Sequence, residues 1–121
     1  MYKRQNNERV LGLAKSVRDI ISLDDPVGRV LYHTKRDNGL EIKRVSIPLG
    51  TMLAIFESRP NVAIDISALA LKSGNAVILR SGRESINSAK VLIDIFRNAI
   101  EKFGVDKNLV TLIEDSDRGY V

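Results

Sequence analysis

The sequence contains no cysteine and no tryptophan, and only six of its 121 residues are aromatic. The absence of cysteine excludes disulfides, thiolate metal sites and a thiol nucleophile. A single histidine, His33, cannot build a zinc site without cysteine, and no GxSxG elbow is present for serine catalysis. No run approaches the ~18 consecutive apolar residues of a membrane span, and the N-terminus lacks the apolar segment of a signal peptide. We therefore expect no membrane association, no metal site and a cytoplasmic location.

The sequence also has only a small excess of basic over acidic residues. Lysine and arginine number 19 against 15 acidic residues, which gives a formal net charge of +4. The basic residues form only short, dispersed clusters, whereas nucleic-acid binders concentrate them on one face and often interleave stacking aromatics. We expect no nucleic-acid partner, and the pattern leaves the binding of anionic small molecules open.

The centre of the chain has the pattern of strand, helix and strand. Apolar runs at 52–56 and 76–79 predict two buried strands, and helical apolar spacing over 62–72 predicts a helix between them. A connection of this length makes the two strands parallel and the crossover right-handed. Ligands of such sheets bind beyond the carboxyl ends of the strands, so function is expected in the loops 57–61 and 80–84.

A hairpin is predicted before this unit, with arms at 27–34 and 40–47 and a turn formed by Asp37-Asn38-Gly39. The alternation of apolar and polar residues in the second arm is interrupted at Lys43-Arg44, which predicts a bulge there. After the unit, the clearest amphipathic helix spans 85–103.

Gly104 is expected to end that helix, and a third strand is predicted over 109–113. Ser116 has the position and chemistry of a cap for one more helix.

The fold class that follows is α/β, with a partial Rossmann-like parallel sheet in the order β-α-β-α-β over 50–113. An amphipathic helix over 8–22 and the hairpin over 27–47 precede it. We expect residues 1–121 to form a single partial domain, whose sheet has one open edge unless the hairpin or another chain covers it.

Neither common nucleotide fingerprint is present, since the sequence has no GxGxxG and no GxxxxGK[ST]. The loop from Arg80 to Glu84 nevertheless places a guanidinium and a glycine before a helix N-terminus, an arrangement that binds anions. The ordinary alternative is a plain loop with Ser81 or Ser85 as helix cap. The loop from Glu57 to Asn61 allows the same two readings, a ligand-facing loop or a well-capped helix start.

Five segments together resemble gamma-glutamyl phosphate reductase, also called glutamate-5-semialdehyde dehydrogenase, of the aldehyde dehydrogenase superfamily. The resemblance runs from about Arg9 to the C-terminus, and ESRPNV together with KSGNAVILR is specific. The segments are DPVGRV (25–30), VSIPLG (45–50), FESRPNV (56–62), LKSGNAVILRSG (71–82) and LIEDSDR (112–118).

The resemblance implies part of an NADP(H)-binding domain, from an enzyme that reduces an acyl phosphate of glutamate to the semialdehyde in proline biosynthesis. It implies that Arg80 lies near the adenosine ribose, where a guanidinium suits a 2′-phosphate, and that the hairpin resembles an arm used in oligomer contacts. The cofactor-binding residues implied are Ser58, Arg59, Pro60, Asn61, Arg80, Ser81 and Gly82.

The sequence also departs from the family pattern. The cysteine nucleophile that takes the acyl group is absent, Ser81 stands where a second glycine is usual, and Ala63 replaces a usual threonine. We expect a truncated relative without catalytic residues, inactive alone. The alternatives are an NADP(H)-binding module and an interaction module that pairs through the 27–47 hairpin with itself or with a full-length relative.

Overall fold

The computed structural model describes residues 7–115, which fold into helices, a hairpin and a parallel sheet, and this confirms the predicted α/β class. The helix predicted after Ser116 lies outside the described residues. In chain order the elements are α1 Asn7–Ser22, β1 Val30–Lys35, β2 Glu41–Val45, β3 Thr51–Phe56, α2 Pro60–Lys72, β4 Ala76–Ser81, α3 Ile86–Glu101, a 3-10 turn Lys107–Leu109 and β5 Val110–Leu112.

The sheet formed by β3, β4 and β5 is parallel throughout, in the order β3-β4-β5, as the strand-helix-strand pattern predicts. Phe56 pairs with Ser81 at the carboxyl end, and Leu79 pairs with Leu112 in the next ladder. Each strand therefore lies beside its neighbour in sequence, and both crossovers run in the same direction. Right-handed crossovers of this kind place α2 and α3 on the same face of the sheet.

The core lies between that face and the helices. Val77 and Leu79 are 1% and 0% exposed, and they pack with Ala63 of α2 and Ile93 of α3. The alternate residues of β3 point the other way, so that Leu53 stays more than half exposed. One face of the sheet is thus covered by helices, and the opposite face is apolar and open.

The first helix extends the helical layer. Leu13 and Val17 pack against the core, and two hydrogen bonds tie α1 to α2. The Ser16 hydroxyl donates to Asp65 Oδ1 at 2.6 Å, and Lys72 Nζ donates to the carbonyl oxygen of Ile21 at 3.0 Å. These bonds hold α1 against the middle and the end of α2.

The hairpin of β1 and β2 is antiparallel, and its turn places Gly39 at a φ of +85°. The prediction of a bulge at Lys43-Arg44 is wrong, because the bulge lies in the other strand of the hairpin. The register shifts between Val30 and Tyr32, so the extra residue is on β1, opposite the step from Arg44 to Val45. A phase slip in one arm cannot tell which arm carries the extra residue, because either one restores the pairing.

A compact turn after α2 anchors the base of the hairpin. Gly74 has a φ of +74°, and a Cβ placed on it would lie 2.9 Å from Pro48 Cγ. The buried Asn75 accepts a hydrogen bond from the Gly50 amide at 2.9 Å and donates to Ser73 Oγ at 2.8 Å. The segment that leads from β2 into β3 is therefore packed against the α2–β4 turn.

Candidate functional site

The two loops singled out in the sequence lie side by side at the carboxyl end of the sheet. The Gly82 amide donates to the carbonyl oxygen of Phe56 at 3.0 Å, which extends the ladder one residue beyond the end of β4. The Ser58 hydroxyl reaches Glu84 Oε2 at 3.4 Å across the gap. A parallel sheet imposes this meeting, because its carboxyl ends share one edge.

Arg80 belongs to a strand and not to a loop. The sequence prediction began the loop at residue 80, but β4 continues to Ser81 because β3 extends to Phe56 and pairs with it. Arg80 pairs with Ile55 and so projects from the open face of the sheet. Strand geometry thus orients this guanidinium more firmly than a loop would.

A cavity of about 620 Å³ lies over this end of the sheet. It combines two cations with two acids at the ends of neighbouring strands. Its lining residues are Ile55, Phe56, Glu57, Ser58, Arg80, Ser81, Gly82, Arg83 and Glu84.

The packing around this cavity does not require a glycine at position 82. A Cβ at Gly82 would lie 3.6 Å from Glu57 Cα, which is ordinary van der Waals contact, and its φ is not in the left-handed region. Ser85 precedes α3 at the capping position, yet its hydroxyl donates to the carbonyl oxygen of Gly82 at 3.3 Å and makes no capping bond. The role of Gly82 in close approach to a ligand stays a prediction.

The other predicted site residues open onto a different cavity. Arg59, Pro60 and Asn61 line a space of about 580 Å³ between α1 and the start of α2, and Ser58 lines both cavities. The seven predicted residues therefore divide into two groups joined at Ser58. Their assignment as one cofactor-binding set remains untested.

The start of α2 does not have the capping that the ordinary alternative required. The residue at the N-cap is Arg59, which makes no side-chain capping hydrogen bond, and Pro60 occupies the first helical position as predicted. A cation at this end opposes the helix dipole, whose N-terminus is positive. Such a local conflict is typical of residues retained for function.

Sequence reasoning missed the residues that α1 contributes to the second cavity. Arg9, Gly12 and Ser16 line it together with Asp65 of α2. A signal was present, since Ser16 interrupts the apolar face between Leu13 and Val17, and polar residues on a packed face often mark a partner or a ligand. Without the α1–α2 contact, nothing in the sequence connects Ser16 with Asp65.

Other chemistry is sparse between residues 7 and 115. No group of three or more His, Asp or Glu side chains is arranged there to hold a metal ion. His33 lies in β1 with Nε2 3.7 Å from Glu41 Oε2, and both side chains are about half exposed. Within the same range, none of the helices has the length and apolar character needed to cross a bilayer.

No protein-family model matches the chain. Among curated proteins, it is 46% identical over 114 residues to the gamma-glutamyl phosphate reductase of Actinobacillus succinogenes and 49% identical to that of Haemophilus influenzae. Both alignments cover 94% of this chain and 27% of the relative. The chain thus spans about a quarter of the length of the curated relatives it matches.

Comparison with solved structures gives the same family as the sequence comparison. The fold superposes on gamma-glutamyl phosphate reductase of Thermotoga maritima with a TM-score of 0.92 and 39% identity, over 96% of this chain and 28% of that one. The enzyme of Saccharomyces cerevisiae gives a TM-score of 0.83 and 38% identity, over 91% and 29%. The resemblance drawn from the sequence motifs is confirmed: in sequence and in fold, this chain is homologous to one segment, about a quarter, of gamma-glutamyl phosphate reductase.

Proposed function

We propose that this chain is the NADP(H)-binding part of a reductase-like protein and has no reductase activity of its own. The observation that supports the first half is the cavity where the ends of β3 and β4 meet. Arg80 and Arg83 there supply cations for phosphate, and Glu57 and Glu84 supply carboxylates that accept from ribose hydroxyls. Gly82 allows the backbone to approach the ligand.

The composition supports the second half. Reduction of an acyl phosphate through a thioester needs a thiolate, and the 121 residues include no cysteine. The name gamma-glutamyl phosphate reductase belongs to proteins about three and a half times as long. We propose that this chain contributes cofactor binding in the cytoplasm, in the setting of proline biosynthesis.

Calorimetric titration of the purified chain tests cofactor binding. We expect NADP⁺ to bind more tightly than NAD⁺, because the 2′-phosphate would pair with Arg80. Arg80→Ala should weaken NADP⁺ binding roughly tenfold and abolish the preference, since a charged hydrogen bond contributes about 1.5–3 kcal/mol. Arg18→Ala, on the exposed side of α1, is the matched control and should change neither affinity. Equal affinities for both cofactors, or no effect of Arg80→Ala, would reject the site.

Activity is tested separately. We expect the chain alone to show no NADPH-dependent reduction of the acyl phosphate and no reverse reaction on the semialdehyde. Clear turnover above a heat-treated control would refute the inactive half of the proposal and leave the binding half standing.

The hairpin favours a second candidate, an interaction arm. Every residue of β1 and β2 is exposed except Thr34, which is half-buried. Tyr32 and Ile42 lie on one face of the ribbon, and a two-stranded ribbon of this kind gains stability by packing on a partner. Sedimentation of the chain, alone and mixed with a full-length reductase, should show association that Tyr32→Ser with Ile42→Ser abolishes. Monomers in both samples would exclude this candidate.

A further inference from the structure

The turn of the hairpin contains the dipeptide Asn38-Gly39, which belongs to neither of the sites proposed above. All residues from 35 to 45 are exposed, so this turn is open to water. An asparagine followed by glycine is a chemically reactive pair. The backbone nitrogen of the glycine can close a ring on the asparagine side chain, and no Cβ hinders its approach. The hairpin turn therefore has the chemistry of a covalent modification site.

The hydrogen bonds of the turn act on both reacting groups. Asn38 Oδ1 accepts a hydrogen bond from the Leu40 amide at 3.0 Å. A donor in this position polarises the side-chain carbonyl and stabilises the negative charge that develops on its oxygen when a nucleophile attacks. One bond opposes the attack, since the Gly39 nitrogen donates to the carbonyl oxygen of Arg36 at 2.9 Å. That bond lies at the tip of an exposed two-stranded ribbon, where local opening costs little free energy.

The surroundings of Gly39 favour the reaction as well. Its φ is +85°, and a Cβ placed on it would meet no atom within 4 Å, so the fold places no other group there. The attacking nitrogen has to lose its proton, and a surplus of positive charge nearby favours the anion that forms. The charged residues of the ribbon beside the turn are Lys35, Arg36, Lys43 and Arg44 against Asp37 and Glu41.

The other asparagines of the sequence do not precede a glycine, and several are held firmly by the fold. Asn75 is buried, and the next amide, that of Ala76, donates to the carbonyl oxygen of Gly50 at 3.0 Å. Asn87 and Asn98 lie within α3, where the helical backbone restrains the dihedral angle that ring closure has to change. These residues provide internal references for the hairpin turn.

We propose that Asn38 is a site of spontaneous deamidation. The Gly39 nitrogen attacks the side-chain carbonyl carbon of Asn38 and forms a new C–N bond, and the bond from that carbon to the amide nitrogen breaks. Ammonia leaves with the proton that the Gly39 nitrogen gives up, and a cyclic imide remains. Water then opens the ring at either carbonyl, which gives aspartate or isoaspartate. The reaction needs water alone as co-reactant, and nothing is oxidised or reduced.

The two products have different effects on the hairpin. Aspartate keeps an acceptor for the Leu40 amide and suits the same turn. Isoaspartate carries the backbone through the former side chain and lengthens it by one methylene group. Because the turn sets the register of a hairpin, the isoaspartyl form should lose the pairing of Lys35 with Glu41 beside the turn. A consequence for association rests on the second candidate function, whereas the reaction itself does not depend on it.

Peptide mapping tests the reaction. The purified chain is kept in mildly alkaline buffer and digested with trypsin at intervals, and Asn38 is the only asparagine of the tryptic peptide 37–43. Mass spectrometry follows the replacement of NH₂ by OH in each peptide. We expect deamidation of this peptide to be at least about tenfold faster than at Asn75, Asn87 or Asn98. Equal rates at these four sites would overturn the proposal.

Two glycine variants separate the chemistry from the strain of a positive φ. Gly39→Ala places a methyl group beside the attacking nitrogen and should slow the deamidation of Asn38 about tenfold. Gly104→Ala introduces similar strain at a φ of +77° and should leave the rate unchanged. A Gly39→Ala chain that deamidates as fast as the parent chain would also overturn the proposal. Thermal melting shows whether each variant keeps the fold.

The effect on the hairpin is measured on the separated products. Isoaspartate is identified by methyl transfer from an isoaspartyl methyltransferase, and chromatography isolates the isoaspartyl chain. We expect nuclear Overhauser contacts between Lys35 and Glu41 to be lost in this form and to persist in freshly prepared Asn38→Asp. An isoaspartyl chain that keeps these contacts, or deamidation that yields aspartate alone, would refute the effect on the hairpin.

Discussion

Replacing Gly74 with alanine tests how firmly the base of the hairpin is packed against the α2–β4 turn. Two costs are expected. The φ of +74° lies in the left-handed region, where a side chain costs about 1–2 kcal/mol. The added Cβ would also lie 2.9 Å from Pro48 Cγ and 3.6 Å from Val27 Cγ2, so the proline ring would have to move. Overpacking of this kind costs about 1–3 kcal/mol.

Gly104→Ala is the matched control. Gly104 has a nearly identical φ of +77°, but its added Cβ would meet no atom within 4 Å. It should therefore lose about 1–2 kcal/mol of unfolding free energy, against about 2–5 kcal/mol for Gly74→Ala. The difference between the two variants isolates the contact with Pro48.

Urea denaturation followed by circular dichroism measures both losses, provided that the dependence of the unfolding free energy on urea concentration is the same in all variants. Pro48→Ala removes the ring atom that the new Cβ would meet. In that background, the cost of Gly74→Ala should fall to that of Gly104→Ala. Equal losses for the two glycine variants, or no relief from Pro48→Ala, would show that this contact does not hold the hairpin base.

Four further substitutions, two in the parallel sheet and two at Asn75 in the α2–β4 turn, are measured by the same urea assay. Leu79→Ala, at the fully buried centre of β4, should lose about 2–5 kcal/mol, whereas Leu53→Ala on the open face should lose under ~1 kcal/mol; similar losses would contradict the assignment of faces. Asn75→Ala should lose about 1–3 kcal/mol because the Gly50 amide loses its acceptor, and Asn75→Asp, which keeps that acceptor, should recover part of the loss if the carbonyl contact is the important one.

Much of the fold was predictable because its signals are local. Apolar runs bounded by breakers predicted β3 and β4 to within two residues, and the helical spacing before Gly104 predicted α3. The bulge was misplaced because a slip in pairing involves two strands, and the sequence shows only one at a time. The predicted loop began too early, at Arg80, because a polar residue after an apolar run indicates the end of a strand. The pairing of β4 with β3, which continues to Ser81, is not visible in that local pattern.

The candidate site was only half predictable. The loops after β3 and β4 follow from the rule that parallel strands share a carboxyl edge. The division of the site at Ser58 depends on how α1 packs on α2. The same packing brings together Ser16 and Asp65, which are 49 residues apart in the chain. No local pattern encodes such a contact. The motif ESRPNV reads as one unit in sequence, yet its residues face two cavities.

The strand order β3-β4-β5 has a consequence for how this protein forms. Each strand pairs only with the strand before or after it in the chain, so each pairing closes a loop of one helix and two turns. A closure that spans a single crossover costs less chain entropy than any longer parallel connection would. We therefore expect β3, α2 and β4 to associate first during synthesis, and α3 and β5 to add to them afterwards. The loops that follow β3 and β4 would then meet at the carboxyl edge of the sheet before β5 pairs.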